Sequence, residues 1–135
     1  MNLEHVNITV TNPKASADTL CDLFGWHIRW QGAAKDNGFT VHVGDDVSYL
    51  ALYAPDKPLV ASGDTYGRIG GLNHVGVVVP DIHAAELRVL DAGFEPHNHA
   101  DYEPGERFYF DGPDGIEFEV VSYLKVGLAL PGSEP

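Results

Sequence analysis

The sequence predicts an α+β fold made of two copies of one module, each with the order strand, helix, strand, strand, strand. The stretch "LEHVNITV" beginning at Leu3 returns 69 residues later as "LNHVGVVV" beginning at Leu72. At the same offset, "FTVHVGDDVSYLALYA" from Phe39 returns as "FYFDGPDGIEFEVVSY" from Phe108. A repeat that persists at one offset indicates a duplicated structural unit.

The first module begins with a strand in which apolar residues alternate with other residues, as is typical of a strand with one buried face. A helix follows, with Asn12 as its N-cap, Pro13 in its first turn and Gly25 at its end. We expect the buried stripe of this helix to contain Ala17, Leu20, Cys21 and Phe24.

The second module repeats these signals. Asp81 is the predicted N-cap of its helix, and Gly93 is the predicted end. The expected buried stripe contains Ile82, Ala85, Val89 and Leu90. An alternating strand follows each helix, "GWHIRWQ" in the first module and "GFEPHNH" in the second. Two further strands then meet at an acidic turn that contains glycine.

A chain of 135 residues is long enough for one domain with a sizeable core. We predict a single domain with module 1 at about 1–54, a linker rich in proline and glycine at about 55–71, module 2 at about 72–124 and a tail at 125–135. The sheets are expected to be mixed and curved, to form an open cup, and to carry the helices on the outside.

Charge and composition exclude several classes of protein. Twenty acidic and eight basic residues give a formal net charge of −12, which disfavours nucleic acid and anionic membranes as partners. Cys21 is the single cysteine, so no disulfide can form within the chain. The sequence carries neither a leader pattern nor an apolar run long enough to cross a bilayer. We therefore expect a cytoplasmic protein.

The alternation also predicts what lies on the sheet face away from the helices, which we call the distal face. Trp26 and Trp30 are expected on the helix side, with Arg29 and Gln31 on the distal face. Arg107 and Tyr109 are likewise expected on the distal face of the second module. The histidines predicted there are His5, His27, His42, His74, His97 and His99.

In the last strand, the same alternation turns Glu117 and Glu119 toward the distal face. His5 and His74 occupy matching positions in the two copies. Two imidazoles and one carboxylate on rigid strands form a facial set of metal ligands that leaves open coordination positions. His5, His74 and Glu119 are therefore the predicted ligands of a divalent metal ion.

The motifs "HVNITV", "LNHVGVVVPD", "AGF" and "RFYFDGPDGIEFEVV" resemble those of the vicinal oxygen chelate superfamily. That superfamily includes glyoxalase I, bleomycin- and fosfomycin-resistance proteins, and type I extradiol dioxygenases. The resemblance implies paired βαβββ modules with metal ligands on the first and last strand of each. It thus implies the same three ligands, and the 69-residue offset puts Leu50 at the fourth position, where a leucine cannot bind metal.

Among these enzymes, the dioxygenases bind iron with two histidines and one glutamate. The resemblance therefore favours Fe(II) as the metal of this protein, with zinc, nickel or manganese as alternatives. Tyr109 stands ten residues before the predicted glutamate ligand, as in the dioxygenase signature. The resemblance implies that Tyr109 contacts the substrate, with His42 or His99 as proton carrier. Ser48 stands where the dioxygenases carry an acid–base histidine. Expected substrate-binding residues are Glu117, Ser48 and Arg107.

Two other functions stay open at this level. A glyoxalase-like enzyme would use zinc or nickel, with Glu117 or a residue of a partner chain as the base. A metal-free binding protein of the bleomycin-resistance type would instead sequester a small molecule, and an exposed aromatic lining would argue for it. In each case the partner is a small molecule, and the resemblance implies a homodimer.

Overall fold

The computed structural model describes residues 1–102 and 105–123. The chain divides into one unit at Met1–Ser62 and a second unit that begins at Gly63, inside the predicted linker. The tail predicted at 125–135 lies outside the described residues. No helix in the described ranges is long and apolar enough to span a membrane.

Each unit contains one α-helix and one four-stranded sheet, in the predicted order. The first unit consists of β1 (His5–Thr9), α1 (Pro13–Phe24), β2 (His27–Ala34), β3 (Gly38–Gly44) and β4 (Tyr49–Ala54). The second consists of a 3-10 turn (Thr65–Gly67), β5 (Val75–Val78), α2 (Ile82–Asp91), β6 (His97–Tyr102), β7 (Gly105–Asp111), a second 3-10 turn (Pro113–Gly115) and β8 (Glu117–Ser122).

The sheets are mixed, with strand orders β1-β4-β3-β2 and β5-β8-β7-β6. In each sheet the first and last strands of the module lie side by side and run parallel, while the remaining pairs are antiparallel. This topology confirms the predicted α+β fold of two βαβββ modules. It also brings residues of β5 next to residues of β8, although the two strands are far apart in the sequence.

Both predicted helix starts are confirmed. The side-chain oxygen of Asn12 accepts a hydrogen bond from the backbone N–H of Ala15 at 3.1 Å, and Asp81 does the same for Ala84. These bonds satisfy amide groups that have no partner within the helix. After α1, Gly25 adopts the left-handed conformation that favours glycine, with φ of 69°.

The buried stripes differ slightly from prediction. In α1, Leu23 is buried while Cys21 and Phe24 are only half-buried. In α2, Leu90 was predicted to be buried but is 49% exposed. The stripe of α1 is thus rotated by a fraction of a turn and that of α2 is narrower than expected, which local spacing does not specify.

A bulge in β2 reverses the predicted side of a tryptophan. The register against β3 shifts between Ile28 and Trp30, and Trp30 then pairs with His42. Residues directly opposite each other in a sheet point to the same face, so Trp30 lies on the distal face, where it is 53% exposed. Its predicted burial under the helix was wrong. Gln31, predicted on the distal face, pairs instead with buried Val41, because one inserted residue inverts the alternation.

A similar irregularity moves His99. The register of β6 against β7 shifts after His97, where Asn98 adopts a left-handed φ of 53°. As a result, the Nε2 atom of His99 lies 3.0 Å from a carboxylate oxygen of Glu86 in α2, and its ring stacks on buried Phe108. His99 therefore lies on the helix side of the sheet, and its predicted position on the distal face was wrong.

The strand registers also correct the match between the two modules. Asn7 pairs with Ala51, and Gly76 pairs with Glu119. Asn7 and Gly76 are 69 positions apart, whereas Ala51 and Glu119 are 68 apart. Module 2 has one residue fewer between these strands, so a single offset cannot align both. The structural counterpart of Glu119 is Ala51, while Leu50 is a core residue with 7% exposure.

Candidate functional site

The distal face of the first unit carries a continuous series of rings. His42 lies between two neighbours, with its ring centroid 5.2 Å from Trp30 and 4.5 Å from Tyr49. His5 then stacks on the other side of Tyr49, at 4.9 Å and 13° between planes. We call Trp30, His42, Tyr49 and His5 the ring series. It presents aromatic and imidazole surface on strands whose opposite face forms the core.

Charged groups frame the ring series. A carboxylate oxygen of Glu4 lies 2.9 Å from Nδ1 of His5, and this contact lowers the pKa of Glu4. The hydroxyl of Tyr49 donates to the same oxygen at 3.4 Å, and the guanidinium of Arg29 lies 4.7 Å from the Tyr49 ring. Partial burial, together with the nearby charges of His5 and Arg29, lowers the pKa of His42. His42 is therefore largely neutral at pH 7.

In the second unit, His74 forms a cluster with a phenol and a carboxylate. The hydroxyl of Tyr66 donates to Oε1 of Glu117 at 2.5 Å and lies 3.1 Å from Nδ1 of His74. The same Nδ1 atom is 3.5 Å from Oε1 of Glu117. The hydrogen bond to Glu117 raises the pKa of Tyr66, because ionisation would put two negative charges together. Tyr66 comes from the segment predicted as a linker.

Glu119 stands beside this cluster with partners of its own. Its strand partner Tyr109 donates a hydrogen bond to Oε2, and this bond, together with partial burial, raises the pKa of Tyr109 to about 12. Arg107 lies 3.8 Å from the same oxygen, with only 13% of its side chain exposed. Its guanidinium also lies 5.0 Å from the ring of Tyr102. The edge of the Tyr109 ring meets His74 at a centroid distance of 5.7 Å, which links the two clusters.

Matching the strands by register shows how the modules have diverged. The matched pairs are His5 and His74, Tyr49 and Glu117, His42 and Tyr109, Ala51 and Glu119, and Trp30 and His97. Of these five pairs, only His5 and His74 have the same residue type in both modules. In the first module aromatic rings lie near that histidine, whereas in the second module carboxylates and a guanidinium lie near it.

The sequence profile of the Glyoxalase/Bleomycin resistance protein/Dioxygenase superfamily matches residues 2–120. The chain belongs to this superfamily. No curated protein sequence matches it. Because the match covers both modules, the resemblance inferred from the motifs is confirmed.

Solved structures of glyoxalase-superfamily proteins share the fold. One domain from Frankia sp. EAN1pec is 19% identical, with a TM-score of 0.76 over 90% of this chain and 97% of that one. A mutant of glyoxalase I from Zea mays is 16% identical, with a TM-score of 0.70 over 90% of this chain and 46% of that one. A mutant of the fosfomycin resistance protein FosX from Listeria monocytogenes, complexed with Mn(II) and a dihydroxypropylphosphonic acid, is 13% identical, with a TM-score of 0.67 over 93% of this chain and 94% of that one.

Most of the predicted site residues lie on the distal faces. Within the second unit, His74, Glu119, Tyr109, Glu117 and Arg107 form one connected group of contacts. In the first unit, His5 and His42 belong to the ring series. Ser48 lies in the turn between β3 and β4, where its backbone N–H donates to Asp45 at 2.8 Å.

The sequence alone did not place three residues of these clusters correctly. Tyr66 sits in a turn, and only the path of the chain brings its hydroxyl to Glu117. Trp30 was assigned to the core because the bulge has no local sequence signal. Tyr49 was not assigned to either face, although its position opposite His5 follows from the register of β1 and β4.

Imidazole nitrogen and carboxylate oxygen, the donor types of His5, His74 and Glu119, are ligand types that divalent metal ions bind in proteins. Within the described residues, no group of three or more His, Cys, Asp or Glu side chains is arranged to hold a metal ion. His5 belongs to the first unit, and His74 and Glu119 belong to the second. In both units the contacts engage Nδ1 of the histidine, and among the described residues neither Nε2 makes a hydrogen bond. Both contacts of Glu119 involve Oε2. Its second oxygen, Oε1, makes neither of these contacts.

Proposed function

We propose that this protein is a metal-dependent enzyme in which His5, His74 and Glu119 bind one divalent ion, with Fe(II) favoured. The observation that carries this proposal is the orientation of the two histidines. Metal-binding histidines usually give their second ring nitrogen to a carboxylate or another fixed polar group. His5 does so with Glu4, and His74 does so with the Tyr66 hydroxyl. The substrate is a small molecule with two adjacent oxygen atoms.

A bound divalent ion would supply Lewis-acid polarisation of those oxygens and, as Fe(II), activation of dioxygen. Tyr109, whose pKa of about 12 keeps it protonated, supplies a hydroxyl that orients Glu119. Arg107 contributes positive charge, and its Nε is buried with no hydrogen-bond partner among the described residues. Neutral His42 can accept a proton at a ring nitrogen.

Two observations support the extradiol dioxygenase reaction over the glyoxalase reaction. Ala51, the counterpart of Glu119, carries no donor atom. A metal ion bound by His5, His74 and Glu119 would therefore have three protein ligands and room for a bidentate substrate and dioxygen. Tyr109 contacts Glu119 directly. With His99 on the helix side of its sheet, His42 is the proposed proton carrier. In a glyoxalase reaction Glu117 would be the base, and its Oε1 already accepts the Tyr66 proton.

A metal-free binding protein is the second candidate, and the ring series favours it. Trp30 is 53% exposed on the distal face beside His42 and Tyr49, so the aromatic lining that such a protein needs is present in the first unit. Stacking on these rings would stabilise a bound planar molecule by about 0.5–1.5 kcal/mol per ring pair beyond area burial. The homodimer and the cytoplasmic location remain part of the proposal under either function.

Metal content separates the two candidates. Protein purified without chelator is compared with His5→Ala, His74→Ala and the matched control His83→Ala, which removes an exposed histidine from α2. We expect stoichiometric metal in the wild type and the control, and a loss of at least tenfold in affinity for the other two. Oxygen uptake with a panel of catechols then tests the dioxygenase, and turnover of a hemithioacetal tests the glyoxalase.

Equal metal content in all four proteins would end the metalloenzyme proposal. In that case, titration of the wild type and Trp30→Ala with planar aromatic compounds would test the binding protein. We would expect weaker binding by the variant. Unchanged affinity would end that proposal too.

A further inference from the structure

A tyrosine from the segment between the modules reaches the histidine of the second module. Tyr66 lies in a 3-10 turn that begins after Asp64, whose side chain accepts the backbone N–H of Tyr66 at 3.1 Å. Gly71 allows the chain to pass close to this turn, since a Cβ at Gly71 would lie 2.5 Å from the carbonyl oxygen of Thr65. The turn is therefore held in place by its own contacts, and its tyrosine hydroxyl lies between His74 and Glu117.

The proton count of this cluster has one consistent solution. An ionised carboxylate can only accept, so the hydroxyl proton of Tyr66 goes to Glu117, at 2.5 Å. The hydroxyl has no second proton, and at 3.1 Å from Nδ1 of His74 it must therefore accept. The proton of a neutral His74 then sits on Nδ1. If Nδ1 carried a lone pair instead, that lone pair would face both the phenol oxygen and the carboxylate oxygen at 3.5 Å.

The first module reaches the same arrangement by a different route. Glu4, directly before His5, provides the carboxylate at Nδ1. The matching position before His74 is Asn73, which has no charge. In the second module the carboxylate comes instead from Glu117, and Tyr66 bridges the gap. A different set of residues thus contacts Nδ1 of the histidine in each module. In both modules these contacts do not involve Nε2.

We propose that Tyr66 is a positioning residue that holds His74 in the Nδ1–H tautomer by linking it to the charge of Glu117. The tautomer follows from the contacts within the second unit alone. Its use rests on the proposed function, because the tautomer presents the lone pair of Nε2 to a metal ion or to a substrate proton. Tyr66 acts through His74 and does not itself touch the reacting atoms.

Nitrogen NMR of the chelator-treated protein tests the proposal directly. Two-bond 1H–15N correlation spectra are recorded at a pH where the imidazoles are neutral, for wild type, Tyr66→Phe and Glu117→Gln. We expect a protonated Nδ1 and an unprotonated Nε2 on His74 in the wild type. In Tyr66→Phe we expect the mixture of tautomers of an unrestrained side chain, and in Glu117→Gln a smaller shift in the same direction. His5 should not change in any variant.

Tyr53→Phe is the matched control. It removes a hydroxyl that donates to the carbonyl of Lys35 at 2.8 Å in the first unit, so it loses a comparable hydrogen bond far from His74 in the chain. It should leave the His74 spectrum unchanged. A wild-type His74 protonated on Nε2 would overturn the proposal. An unchanged spectrum in Tyr66→Phe would also overturn it, by assigning the effect to Glu117 alone.

Calorimetric titration with zinc keeps this proposal separate from the proposed function. If the wild type binds zinc, Tyr66→Phe should bind it about tenfold more weakly, because loss of a group that orients a ligand has effects of this size. Equal zinc affinity for the two proteins would count against the positioning role. If the wild type binds no zinc, the metal site fails as a proposal, while the NMR result still decides the role of Tyr66.

Discussion

A glutamate introduced at Leu50 or at Ala51 decides between the two ways of matching the modules. Leu50 lies in β4 between Val6 and Val43 and is 7% exposed. Replacing it with glutamate loses the burial of a leucine, about 1.5–3 kcal/mol. It also removes a carboxylate from water, at a cost of several kcal/mol. The sum, roughly 5 kcal/mol or more, matches the whole free energy of unfolding of a marginal domain.

The same change at Ala51 should cost much less. Ala51 is opposite His42 on the distal face, so a longer side chain there extends toward the ring series. The residue itself is buried, with 3% exposure, and the added atoms must displace neighbours, at about 1–3 kcal/mol. The predicted order of stability is therefore wild type, then Ala51→Glu, then Leu50→Glu.

Urea unfolding followed by circular dichroism measures this order. Leu50→Ala and Ala51→Gln are the matched controls, since each changes the side chain without adding a charge. Leu50→Ala should cost about 2–5 kcal/mol. Burial raises the pKa of the carboxyl in Leu50→Glu, so its destabilisation is complete above that raised pKa and diminishes as the pH falls through it. Equal stability of Leu50→Glu and Ala51→Glu, or the reverse order, would refute the register argument.

The turn before β4 gives a second prediction. Hydrogen bonds from the backbone N–H groups of Ser48 and Val47 lower the pKa of Asp45. The stabilisation from Asp45 should be present above the usual aspartate pKa of about 4 and be lost as the pH falls through the lower pKa of the folded state. Carboxyl NMR titration measures that pKa, and the stability of Asp45→Asn at different pH values measures the stabilisation. A third prediction concerns the exposure of Trp30. Acrylamide should quench the tryptophan fluorescence of Trp26→Phe, which retains exposed Trp30, more strongly than that of Trp30→Phe. The opposite result would contradict the position of Trp30 on the distal face.

The wrong predictions for three residues share one physical cause. Trp30, His99 and Leu50 were each assigned by counting alternation or offset, and each assignment fails after a shift of a single residue. Side chains alternate with a period of two along a strand, so a shift of one residue reverses every position beyond it. Where no bulge intervenes, as in β8, the distal positions of Glu117 and Glu119 follow directly from the alternation.

The contacts of the candidate site residues were predictable to a similar extent. The matching positions of His5 and His74 could be predicted because the repeat puts one at the start of β1 and the other directly before β5. The groups that hold their Nδ1 atoms differ in this respect. Glu4 is adjacent to His5 in the sequence, whereas Tyr66 and Glu117 are 51 residues apart and meet only in the folded chain.

The sequence by itself determined the duplicated α+β fold, the two helix caps and the matching histidines at the start of β1 and directly before β5. These features depend on residues within a few positions of one another, through capping hydrogen bonds and strand alternation. Only the tertiary structure decided that Trp30 joins the ring series, that Ala51 matches Glu119 and that Tyr66 contacts His74. Bulges, loop lengths and the path of the segment between the modules are set by packing between distant parts of the chain, and local patterns do not encode that packing.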